Sequence, residues 1–194
     1  MQNKTKQIVG VGLLTAIVIV LQALAIGIRF GVFNITLVLI PIVVGAALYG
    51  AWAGAWLGFV FGVVVLFTDA GVFLAINIPG TIVTCIGKGM LAGLAAGIVY
   101  KLLADRNRIV ATVLSAVVAP VVNTGVFLIG CCLFFYSTIV SWAEAAGFAS
   151  AGSYMILGLV GVNFLVELAV NLVLSSVIVR IVQLGLRSVG NTNK

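Results

Sequence analysis

Lys88 and Glu167 are ionisable side chains set in the middle of long apolar runs, and they carry most of the chemistry this sequence offers. A charge at membrane depth costs at least ~2.5 kcal/mol on insertion scales, so it faces a cavity or a partner rather than lipid. Lys88 falls about nine residues, roughly 13 Å, into the fourth apolar run, and Glu167 about 14 residues, roughly 21 Å, into the sixth. Asn163, Glu167 and Asn171 recur at i, i+4 and i+8, a spacing that puts them on one helix face. Asn123 and Thr124 sit mid-run just after Pro120. Brought together, these groups form a binding set: the Lys88 ammonium for a carboxylate or phosphate, the asparagines for hydroxyls and amides. The same residues also read as structure alone, a Lys88–Glu167 ion pair with asparagines joining helices. Nearer the surface, Arg29, Phe30, Phe33 and Asn34 in one loop, with Asp69 and Asn77 in the next, are expected to form a lid over the site.

Catalysis is expected to be absent. The chain has no histidine, which removes imidazole acid–base work, imidazole metal sites and Ser/His pairs together. The acids Asp69, Asp105, Glu144 and Glu167 form no protease pattern, and no GxxxxGK[ST] phosphate loop is present. Cys85, Cys131 and Cys132 lie in apolar runs without CxxC spacing and read as packing residues. No metal or cofactor is expected. Energy for uphill movement of a ligand must then come from an ion gradient or another subunit.

The elements that position these residues are membrane spans. Of 194 residues, 63% are hydrophobic and 7% charged, against about a quarter charged in soluble domains. At roughly 20 residues per span, the chain holds about six helices and leaves no room for a soluble catalytic domain, so residues 1–194 are expected to form one all-α, six-span membrane domain. The net charge of +6 is not a nucleic-acid footprint. Lys4 and Lys6 precede the first run, Lys101, Arg106 and Arg108 share one polar break, and Arg180, Arg187 and Lys194 close the chain. By the positive-inside rule both termini are cytoplasmic. The spans are expected over residues 8–28, 35–49 (short, and kinked by Pro41), 52–66, 80–100, 109–136 and from about 153 onward. Residues 67–79 and 137–152 are expected as outer loops, with Tyr136 and Trp142 as interfacial anchors. Glycines 50, 54, 58 and 62 and glycines 89, 93 and 97 form stripes suited to close helix packing, and Gly12 with Ala16 forms a further small pair in the first span.

This layout resembles the substrate-binding S-component of an energy-coupling factor (ECF) transporter. The likeness extends over nearly the whole chain. It is closest where ITLVLIPIVVGAALYGAWAGAWLGFVFG is similar to the ITL-x-x-IP-x-x-x-GA stretch and Gly-rich helix of the pantothenate-type branch. The resemblance implies that Gly12 and Ala16 match an AxxxA motif contacting the transmembrane coupling subunit, with glycine replacing the first alanine. It implies vitamin capture from outside by helices four to six under the loops, followed by toppling driven by two cytoplasmic ATPase subunits in the cell membrane. Pantothenate, with its carboxylate and hydroxyls, suits Lys88, Asn123 and Asn163; folate, riboflavin, pyridoxine and cobalamin are the alternatives. Outside this class stand an ion-coupled carrier working alone and a non-transport membrane scaffold.

Overall fold

The computed structural model describes residues 2–25, 29–30, 33–34 and 37–190. Helix α1 spans Gln2–Ala25 and leads to a hairpin of two-residue strands, β1 Arg29–Phe30 and β2 Phe33–Asn34, with Arg29 opposite Asn34. Helices α2 (Leu39–Tyr49), α3 (Ala51–Thr68), α4 (Gly71–Leu74), α5 (Ile78–Leu103), α6 (Arg108–Phe134), α7 (Tyr136–Ala145) and α8 (Ala151–Ser153) follow. A π-helical stretch, Tyr154–Gly161, then joins α9, Val162–Gly190.

Among the described residues, α1, α3, α5 and α6 are each long and apolar enough to cross a bilayer, and the bent pair Ala151–Gly161 and Asn163–Leu174 makes a fifth span if counted as one. The bend is 42°. Helix α2 differs. Its 11 residues rise about 16 Å at 1.5 Å each, half the hydrocarbon thickness. It is also the most enclosed helix, with Leu39, Ile42, Val43, Val44, Ala46 and Ala47 all buried among α1, α3, α5, α6 and α9. A helix that is apolar all round belongs in a core. Pro41 falls in its first turn, where the missing N–H has no intrahelical acceptor to lose, so the expected mid-span kink gives way to a helix start.

Helices α3 and α5 approach each other backbone to backbone. A Cβ built on Gly58 would overlap the Gly89 carbonyl, one on Gly54 the Gly93 carbonyl, and one on Gly62 the Cys85 carbonyl. Gly97 closes the seam against Ala51. The glycine stripes are thus intramolecular. Between α2 and α3 the chain reverses at Gly50, whose φ of +95° strongly favours glycine.

Helix α1 packs on α2 and α3 along a heptad stripe: Val11, Leu14, Val18, Leu21 and Ala25 turn inward. Polar contacts tie the same face down. The Gln7 amide donates to the Tyr49 carbonyl at 3.3 Å, the Trp56 indole to Thr15 Oγ1 at 3.2 Å, and the Gln22 amide to Asp69 Oδ2 at 2.7 Å. Its other face, with Ile8, Val9, Gly12, Leu13, Ala16 and Val20, is exposed.

The connections expected as loops carry structure. Residues 137–152 contain α7, an amphipathic helix burying Ile139 and Ala143 whose polar Ser137, Ser141 and Glu144 hide it from a hydropathy reading. Residues 67–79 contain α4, from which Phe73 makes edge-to-face contacts with Phe127, Phe135 and Trp142 at centroid distances of 5.7, 5.0 and 5.9 Å. Trp142 is therefore half-buried rather than a free interfacial anchor, whereas Tyr136, Trp52 and Trp56 are exposed. Cys85 and Cys131 are buried and Cys132 is exposed, all with free thiols.

Gly58→Ala should force α3 away from α5 at the cost of an overpacked core, about 1–3 kcal/mol, and lower the midpoint of thermal unfolding in detergent by about 2–10 °C. Gly12→Ala, with open space at its Cβ and alanine the better helix former, should not lower the midpoint. Equal midpoints for the wild type and Gly58→Ala would contradict the close seam.

Candidate functional site

Five helices and the π-helical stretch line a cavity of about 170 Å³ in the half of the bundle nearer α4 and α7. A single water needs only about 10–15 Å³ by the same kind of measure, so the space suits a small organic solute. Helix α1 contributes Gln22 and Ala25, α3 Phe61 and Val65 with Asp69 just beyond its end, α5 Lys88, α6 Asn123, Thr124 and Phe127, the π-helical stretch Leu159 and Val160, and α9 Asn163, Phe164 and Glu167. Apolar and aromatic walls with a few convergent polar groups are the usual build of a ligand pocket.

The α3–α5 seam sets the register of the cationic wall. Phe61 precedes Gly62 and Lys88 precedes Gly89, so the glycine contacts that fix the backbones also bring these two side chains together. The Lys88 ammonium stands 5.7 Å from the Phe61 ring centroid and 5.4 Å from that of Phe127. Each contact is worth about 0.5–2 kcal/mol. On α6, Asn123 is 8% exposed and its Oδ1 has no hydrogen-bond partner among the described residues. The π-helical stretch inserts extra residues per turn and re-aims the chain before Asn163, a distortion common at functional sites.

The family model of the ECF transporter substrate-specific component matches residues 6–179, which is most of the chain. The chain belongs to that family. It is thus a multi-pass membrane subunit that binds a transported substrate rather than an enzyme, and the family implies association with the transporter's membrane and ATPase subunits. No curated protein and no solved structure matches it.

In this S-component, Lys88, Asn123, Asn163, Glu167 and Asp69 meet around one cavity. Asn171 lies elsewhere. Eight residues are more than two helical turns, which carries Asn171 about 80° round from Asn163 and about 12 Å deeper. There it is 1% exposed, its Nδ2 donates to the Glu167 carbonyl at 2.8 Å, and its Oδ1 has no partner among the described residues. Asn77 also stands outside the lining: it is the N-cap of α5, its Oδ1 accepting from the Gly80 amide at 2.9 Å. The Asn-x-Pro order of residues 77–79 is a helix-start signal that would have assigned this role from sequence. The side chains of Arg29, Phe30, Phe33 and Asn34 lie outside the described residues. Gly12 and Ala16 are exposed on the outer face of α1, and nothing lies within 4 Å of a Cβ built on Gly12.

Gln22, Phe61, Phe127 and Phe164 are the lining residues that a reading of the ionisable and asparagine residues missed. The aromatics carry no signal separating them from core. Gln22 does, because a glutamine deep in an otherwise apolar span meets the same criterion that singled out Asn123.

Proposed function

We propose that this protein is the S-component for pantothenate, held in the cell membrane by six spans with both termini cytoplasmic. The observation that carries the reading is one cavity shared by the Lys88 ammonium, the amides of Asn123 and Asn163, and the carboxylates of Asp69 and Glu167. Lys88 would take the vitamin's carboxylate, and the acceptors opposite would take its hydroxyl and amide hydrogens. Asn34 belongs to the hairpin that would close the site, whereas Asn171 and Asn77 hold helix backbone groups outside the lining.

The six-span reading counts α2 as the short second span and the bent pair as the sixth. Lys4, Lys6, Lys101, Arg106 and Arg108 gather at one end of the bundle, at the start of α1, the end of α5 and the start of α6. That end is then cytoplasmic, and the cavity lies toward the outside. Lys194 lies outside the described residues. Gly12 and Ala16 offer the coupling subunit a bare strip of helix, and through it two ATPase subunits provide the energy source that this chain's sequence lacks.

Two carboxylates in the lining support a second reading, a vitamin with a basic nitrogen such as pyridoxine. Isothermal titration separates the two. On the first reading, pantothenate binds the detergent-purified protein and Lys88→Ala weakens it by roughly 10- to 100-fold, the worth of a charged hydrogen bond. Unchanged affinity in Lys88→Ala would remove the lysine from the site, and binding of pyridoxine but not pantothenate would favour the second reading. For the partner surface, Ala16→Leu should abolish co-purification with the ATPase subunits while leaving vitamin affinity intact; undiminished co-purification would place the interface elsewhere.

A further inference from the structure

Gln22 stands apart from the other polar residues of the cavity because its orientation is dictated. Its Nε2 donates to Asp69 Oδ2 at 2.7 Å and lies 3.4 Å from Thr68 Oγ1, while the Thr68 hydroxyl donates to the same carboxylate oxygen at 2.8 Å. An ionised carboxylate only accepts, so the amide must turn its NH2 toward Asp69; the reverse rotamer would set two acceptors face to face. The Thr68 hydrogen is likewise committed to Asp69, which leaves the threonine oxygen as an acceptor for Gln22. Every hydrogen in this triangle therefore has one arrangement. Its consequence falls on the remaining atom. Gln22 Oε1 points away from Asp69, the residue is 1% exposed and lines the cavity, and this oxygen has no hydrogen-bond partner among the described residues.

A buried carbonyl oxygen without a donor is destabilising until something supplies one. We propose that Gln22, locked by Asp69 and Thr68, is a specificity-determining ligand contact that selects substrates carrying a hydroxyl at the α1 end of the cavity. The Asn123 Oδ1, also buried and without a partner among the described residues, adds a second acceptor of the same kind. With the Lys88 ammonium on another wall, the lining is complementary to a small organic acid whose hydrogen-bond donors sit away from its acid group. A ligand with only acceptors or methyl groups at that end would leave Oε1 buried and unpaired, so the site rejects it. This inference rests on the cavity being the vitamin site.

The test is calorimetric titration of the full-length protein in detergent with two probes, pantothenate and its analogue with both hydroxyls replaced by hydrogen. Wild type should prefer pantothenate by at least about tenfold, a gap of the size one buried hydrogen bond supports. Gln22→Met keeps the length and loses the acceptor, and it should bind the two probes within about threefold of each other. Asp69→Asn lets the glutamine amide turn either way and should give an intermediate preference. A Gln22→Met protein that keeps the wild-type preference, or loses affinity for both probes equally, would overturn the proposal. So would a wild type that binds both probes alike. If Gln22→Met does not fold, an unchanged preference in Asp69→Asn overturns it. Failure of wild type to bind either probe overturns the pantothenate reading itself and this inference with it, a result distinguishable because it shows in the wild-type arm.

Discussion

In a bilayer the hydrophobic effect gives helices no reason to associate, since lipid tails are as apolar as leucine; packing and polar contacts must hold them together. Here the seam between α3 and α5 answers that constraint, with Gly54, Gly58 and Gly62 seated on the carbonyls of Gly93, Gly89 and Cys85. Contact at this range admits one register only. Because Phe61 and Lys88 each sit one residue before a seam glycine, that register also decides where the lysine is held. The remaining helices build outward: α2 is enclosed at the centre, α6 packs on α5, and α9 packs on α6.

The buried polar groups divide by how completely they are satisfied. The single Ser115 hydroxyl hydrogen is shared between the Ala96 and Ala111 carbonyls, 2.9 and 2.8 Å from Oγ, joining α5 to α6 at the end of the bundle away from the cavity. Asn107 and Asn77 cap helices, and Thr81 and Thr112 hydrogen-bond back to carbonyls of their own turns. These residues are structural and their partners are in the chain. Other buried side-chain oxygens lack partners among the described residues: those of Gln22 and Asn123 at the cavity, and those of Thr84, Tyr100 and Asn171 outside its lining. Of these, Gln22 and Asn123 belong to residues that line the cavity, where a bound solute can supply the donor.

Membrane character, most of the span positions and the convergence of Lys88, Asn123, Asn163 and Glu167 were legible in the sequence, because ionisable and amide residues stand out sharply against apolar runs. The glycine stripes were legible as packing surfaces for the same reason. The partner of each stripe was not, since spacing says nothing about which helix lies opposite. Helix α7 was lost because its polar Ser137, Thr138, Ser141 and Glu144 lower its hydropathy and mimic a loop. Asn171 shows how a face argument decays with distance: i+4 holds, but i+8 drifts off the cavity. Gln22 was visible yet silent, because its meaning depends on Asp69, which only the fold brings to it.

The central claim is that this cavity holds a water-soluble vitamin. Native mass spectrometry of the protein purified from its own cells in mild detergent tests it most directly. The account predicts a 1:1 adduct of one small metabolite that bears an acid group and hydrogen-bond donors, released on unfolding and identified by its fragments as pantothenate. Protein carrying only lipid and detergent adducts, after purification from vitamin-replete cells, would contradict it.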